Sequence, residues 1–144
     1  MEDTMLVGVD GSDTSRRAVD FAAARAKAGG ARLVVAHVIE WSPYTFNTPE
    51  ENEVRHKRRE EEIVCAKTQV LDPLVRELRA GGLDVDGVAQ HGHATQVLCD
   101  LARELGATQI FIGRRGVSKI AALLFGSVAA SLVQVSQVPV TVVP

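Results

Sequence analysis

The segment "IGRRGVSKIAALLFGSV", Ile112–Val128, joins a short apolar run, "TQIFIG" (Thr108–Gly113), to a helical pattern, "SVAASLVQVS" (Ser127–Ser136). Gly113, Gly116 and Gly126 punctuate it, and Arg114, Arg115 and Lys119 set positive charge among them. In open α/β sheets, ligands bind at the carboxyl ends of strands where the strand order reverses. Glycines at such a place remove side chains and permit positive φ, so a ligand can approach the backbone. The N–H groups at a helix start point outward, and the helix dipole favours an anion there. Ser127 adds a hydroxyl. Together these features describe a phosphate cradle. The same glycines would also serve a plain strand-to-helix turn, with the arginines keeping it soluble. Neither the P-loop spacing nor the Gly-x-Gly-x2-Gly dinucleotide fingerprint is present.

Outward from this segment, apolar runs alternate with helical patterns. "TMLVGVD" (Thr4–Asp10) reads as a buried strand ending in a turn. Ser12 or Asp13 can cap the helix that follows, which Gly29-Gly30 stop. "ARLVVAHVIE" (Ala31–Glu40) is a second strand, and Trp41–Pro49 an irregular loop. A long polar stretch then acquires a helix face at Val64, Val70, Leu71, Leu74, Val75 and Leu78. At Asp72-Pro73 that helix either kinks or restarts, with Asp72 as cap and Pro73 in first position. "LDVDGVAQHG" (Leu83–Gly92) is a strand whose polar alternation suits an edge. "ATQVLCDLARELG" is a helix with Val97, Leu98, Leu101, Ala102 and Leu105 on one face and Gly106 after it. "VPVTVV" (Val138–Val143) is the last strand. Alternating strands and helices predict an α/β fold with a parallel sheet covered on both faces.

The length of 144 residues suits one domain. A formal charge of −2 gives no bulk attraction to nucleic acid or to an anionic membrane, so any anion site must be local. No apolar run approaches the roughly 18 residues of a membrane span. "MEDTMLVGVDGS" carries acids where a secretory leader needs positive charge. The expectation is a cytoplasmic protein whose two cysteines, Cys65 and Cys99, stay reduced.

The spacing Gly113-x2-Gly116-x9-Gly126-Ser127 resembles the nucleotide-binding pattern of the universal stress protein family. The resemblance covers nearly the whole chain. "LVGVDGSDTSRRAVDFA" resembles that family's opening strand and helix, His37-Val38 the end of its second strand, and "VPVTVV" its closing strand. It implies one domain over residues 1–144. It also implies a Rossmann-like, open, parallel five-stranded sheet of order 3-2-1-4-5, with helices on both faces. Strands 1 and 4 would then be neighbours with crossovers leaving in opposite directions, which places a crevice between Asp10 and Gly113. The resemblance further implies an ATP site, with magnesium. Val9, Asp10 and the backbone of Val38 would lie near the base and ribose. Ile112, Gly113, Arg115, Gly116, Gly126, Ser127 and Val128 would complete the pocket, mostly about the phosphates. A homodimer through the C-terminal strand is implied as well. Arg114, Ala94 and "VSQVPV" depart from the family pattern without removing a phosphate donor. The implied role is nucleotide-dependent stress response or signalling, with at most slow hydrolysis. A nucleotide-free dimerising adaptor, docking through Trp41–Pro49 or the charged helix, and a slow ATP hydrolase are the alternatives.

Other chemistry finds little support. Asp before Gly-Ser often braces a turn, so Asp10 has a structural use beside a functional one. His91-x-His93 lacks the further ligands that a metal needs. His37 is expected to be a hydrogen-bonded core residue and His56 a solvent-exposed one. Ser12, Ser15 and Ser118 show no nucleophile elbow. Both cysteines fall in apolar helical contexts that would make poor nucleophiles. Asp10 as a phosphoryl acceptor lacks the second acid that such sites use. The charge run Glu50–Glu62 reads as a solvated helix face.

Overall fold

Thr4–Val9 forms strand β1, with Leu6 to Val9 buried, in a computed structural model that describes residues 3–40, 49–114 and 127–144. Four more apolar runs become β2 (Arg32–Ile39), β3 (Val85–His91), β4 (Ala107–Gly113) and β5 (Val140–Val143). They make one sheet in the order β3-β2-β1-β4-β5, and every neighbouring pair is parallel. Parallel neighbours require crossovers. The helices that supply them are α1 (Asp13–Gly29), α2 (Pro49–Cys65), α3 (Asp72–Ala80), α4 (Ala94–Leu105) and α5 (Ser127–Val135). This is the strand order that the family resemblance implies.

Side chains alternate across the strands. Val7 and Val9 of β1, Leu33 and Val35 of β2 and Phe111 of β4 pack with Val19 and Ala22 of α1 and Leu74 and Val75 of α3. Leu6, Val34, Ala36 and Ile110 point the other way, against Leu98 and Leu101 of α4 and Leu132 of α5. The sheet is therefore covered on both faces. β3, the strand with polar alternation, lies at one edge, and most of its residues are only partly buried. Gly30 and Gly106 end α1 and α4 as the sequence predicts, each bonding its N–H back into the last turn.

The long helical stretch resolves differently from both alternatives at Asp72-Pro73. Ala66–Leu71 winds as a π-helix between α2 and α3. Asp72 is helical, caps nothing, and donates its N–H to the Lys67 carbonyl five residues back. A proline inside an α-helix lacks the N–H for its bond, and its ring strikes the carbonyl four residues earlier. A widened turn moves that carbonyl away, and the helix continues through Pro73. The widening also breaks the phase of the apolar stripe. Val64, expected on the buried face, is exposed, while Leu71, Leu74 and Val75 remain buried. Cys65 is exposed too, so its apolar setting is corrected by the same phase shift.

Candidate functional site

β1 hands the chain leftward to β2, and β4 hands it rightward to β5. The chain thus leaves their carboxyl ends in opposite directions, and open α/β folds bind ligands at such a switch point. Val9 ends β1, buried and in register with His37. Asp10 follows and enters a closed local network. Its Oδ1 accepts from the Ser12 N–H at 2.9 Å. Its own N–H donates to Ser15 Oγ at 3.3 Å. Ser15 Oγ donates to the Ser12 carbonyl at 2.9 Å, and Ser12 Oγ accepts from the Ser15 N–H at 3.2 Å. Ser12, rather than Asp13, is thus the N-cap of α1. Gly11 makes the turn at φ +83°, where a side chain would be strained. Asp10 therefore does brace a turn, and it does so at the strand end where the crevice opens.

On the β4 side, Ile112 packs against the α4–α5 layer. Its Cδ1 stands 2.9 Å from where a Cβ on Gly8 would be, so the missing side chain of Gly8 is what admits it. Gly113 is buried, and its backbone does not take positive φ. A Cβ there would lie 2.8 Å from Thr14 Cγ2 and 3.1 Å from the Thr14 carbonyl carbon and oxygen. The glycine expected to admit a ligand admits the first turn of α1. Val38 of β2 is partly buried on the α4–α5 side, as is Val128, the second residue of α5. Ser127 opens α5 and is exposed. Of the residues named from sequence, Val9, Asp10, Ile112 and Gly113 come together at two adjacent strand ends, with Val38 one strand away. Arg115, Gly116 and Gly126 lie outside the described residues, as does most of the Trp41–Pro49 loop.

His37 sits beside this crevice, and the hydrogen bond expected of it is made with the Val9 backbone. Its Nδ1 is buried without a hydrogen-bond partner among the described residues. Burial pushes the ring pKa below the usual histidine value, against the opposing pull of the Val9 carbonyl and the Asp10 charge. The other histidines pair with carboxylates. His91 Nε2 lies 3.0 Å from Glu62, His93 Nδ1 3.6 Å from Glu40, and His56 Nε2 3.1 Å from Glu60. His91 and His93 thus serve different partners. Burial also raises the Cys99 thiol pKa.

Three contributors escape a sequence reading. Ser15 holds Asp10, Thr14 fits Gly113, and Glu40, the residue after β2, accepts the Ala94 N–H at 3.1 Å at the start of α4. Only the Ser12-x2-Ser15 spacing, a variant of the capping box, signals the first of them.

The sequence profile of the universal stress protein family matches residues 1–144. A universal stress protein of Thermus aquaticus is 32% identical over 141 residues, covering 97% of each chain. Among solved structures, UspA of Lactobacillus plantarum superposes with a TM-score of 0.86 at 21% identity, over 99% of this chain and 97% of that one. A universal stress protein crystallised with cAMP is 30% identical, with a TM-score of 0.63 over 99% of this chain and 96% of its own. One from Archaeoglobus fulgidus in complex with dAMP is 25% identical, with a TM-score of 0.63 over 99% and 98%.

Proposed function

Since the chain belongs to the universal stress protein family over residues 1–144, we propose that it binds an adenine nucleotide, ATP with magnesium, at the crevice between β1 and β4. The observation that carries this is the meeting of Val9-Asp10 with Ile112-Gly113 at the switch point of the sheet. Two related structures hold cAMP and dAMP, which favours an adenine nucleotide. In this proposal Val9, Asp10 and the Val38 backbone meet the base and ribose. Gly113, Arg115, Gly116, Gly126, Ser127 and Val128 line the phosphates. The residues fit such a ligand: Val38 and Ile112 give the strand ends an apolar face, Val9 is reached through its backbone, and Ser127 offers a hydroxyl and the N-terminus of α5 to a phosphate. Asp10 is held rather than poised for transfer, which fits binding with at most slow hydrolysis. The role is nucleotide-dependent signalling in a stress response.

We also propose a homodimer paired through β5. This strand is the sheet edge opposite β3, and Val140 and Val142 are only partly buried. Val133 and Val135 of the neighbouring α5 are more than half exposed. An apolar edge of this kind invites a second strand.

Calorimetric titration of nucleotide-stripped protein with Mg-ATP tests the site. The expected result is a saturating isotherm near one ATP per subunit, lost in Gly126→Asp because a carboxylate would face the phosphates. A flat trace with the folded wild type would leave the nucleotide-free adaptor as the function.

A further inference from the structure

On the sheet face opposite Val38 and Ile112, a cavity of about 300 Å³ lies between α1 and the widened turn before α3. That size is at the small end of ligand pockets. It exists because the turn into α1 and its first turn present little bulk there: Gly11, Ser12 and Ser15 face Gln69, Val70 and Pro73 across the gap. Its floor is apolar and buried, formed by Val9, Val19 and Leu74. Its rim is charged. Arg16 holds Glu77 by two bonds, Nη1 to Oε2 at 3.1 Å and Nη2 to Oε1 at 2.8 Å, and both side chains are exposed. Arg16 Nε also bonds Asp20 at 3.1 Å, on the side away from Glu77.

We propose that this cavity binds a free α-amino acid with an apolar side chain. A cation and an anion stand together over an apolar floor, and a zwitterion with an apolar tail matches all three. Its carboxylate takes the place of Glu77 on the guanidinium fork, the geometry that arginine recognises best. Its ammonium pairs with the released Glu77 carboxylate. Its side chain covers Val9, Val19 and Leu74. An exposed ion pair contributes little in water, so exchanging it costs little. A simple carboxylate would instead leave Glu77 unpaired, and glycine would leave the floor uncovered. The cavity wall includes Ser12 and Ser15, which hold Asp10, so an occupant here would bear on the strand end from the far side of the sheet. The assignment does not depend on nucleotide binding.

The test is an amide NMR titration of the whole, nucleotide-free protein with L-leucine. Saturable shifts are expected at Ser12, Arg16, Gln69 and Val70. Glycine, which lacks the tail, should bind about tenfold more weakly or worse, the worth of the buried side chain. 4-Methylpentanoate, which lacks the ammonium, should bind about two- to fivefold more weakly, the worth of an exposed ion pair. Glu77→Gln, an exposed and structurally mild change, should weaken leucine to a similar degree. Val70→Phe should fill the cavity and abolish the shifts. Absence of saturable shifts with leucine would overturn the proposal. So would equal binding of 4-methylpentanoate, or full leucine affinity in Glu77→Gln.

Discussion

Gly113 of β4 and Thr14 of α1 are fitted to one another: a Cβ on the first would stand 2.8 Å from Cγ2 of the second and 3.1 Å from its backbone carbonyl. The methyl could rotate aside, but the backbone could not. Gly113→Ala must push α1 away from the sheet. The expected loss is about 1–3 kcal/mol, the usual cost of overpacking, read from the urea midpoint. ATP affinity should fall with it, because α1 carries the turn that holds Asp10.

Ser15 is the single buried polar residue among those described, and its hydroxyl works twice, for the Asp10 N–H and for the Ser12 carbonyl. Ser15→Ala removes both bonds inside a closed turn. A destabilisation of about 1–3 kcal/mol is expected, since buried polar groups lose a partner. Asp10→Asn should be far milder in a melt, because an amide oxygen can still accept from the Ser12 N–H. An Asp10→Asn protein as unstable as Ser15→Ala would contradict this account of the turn.

The β5 edge offers a clean test of dimerisation. The Pro139 and Val143 carbonyls bond to β4, at Ile110 and Arg114. By alternation, the backbone of Val142 faces outward. Val142→Pro therefore deletes an edge N–H without touching the β4 ladder. The expected outcome by sedimentation is a dimer for the wild type and a folded monomer for the variant. A variant that stays dimeric would move the interface elsewhere.

His37 and Asp86 both make stability fall on acidification. The neutral His37 ring is favoured by burial, so its folded pKa lies below its ordinary value. As pH drops below about 6.5, the unfolded chain takes up this proton first and stability declines until the folded value is passed. At lower pH Asp86 adds to the loss. Arg32 and Arg79 hydrogen-bond its carboxylate and depress its pKa. Its contribution is complete above about 3.9 and disappears as pH falls through the folded value. Asp86 is largely solvent-facing, so screening keeps its share within about 1 kcal/mol. Urea midpoints of His37→Gln should be flatter than wild type between neutral and mildly acidic pH, and those of Asp86→Asn flatter in stronger acid. Parallel curves would rule out these assignments.

Much of this architecture was legible in the chain. The apolar runs at Leu6–Val9, Leu33–Ala36 and Ile110–Phe111 mark central strands because burial on both faces requires it. Gly30 and Gly106 mark helix ends because those turns need them. The placing of Asp10 and Gly113 at adjacent strand ends was legible because strand ends and glycines obey local rules, whereas Val9 entered through the family resemblance. The strand order came from the family resemblance rather than from periodicity. What stayed hidden depends on distance in sequence. Nothing near Arg16 announces Glu77, 61 residues away. Nothing near Gly113 distinguishes a ligand from Thr14 as the neighbour it admits. Asp72-Pro73 offered a kink or a cap, since local pattern contains no cue for a wider turn.

That wider turn has a consequence for how the surface can vary. A π segment holds its place by spending residues on rotation, so the helix before it is out of phase with the helix after it. α3 is keyed to the sheet by Leu74 and Val75. α2 buries none of its described residues and meets the sheet through Glu62, which pairs with His91 of β3. Removing one residue between Ala66 and Leu71 would roll α2 about its own axis and carry Val64 toward the sheet, while β1, β4 and the crevice between them stayed where they are. The roll of α2 is thus set more by residue count than by burial in the core, and it can change at the expense of one surface pair, Glu62 with His91, without disturbing the ends of β1 and β4.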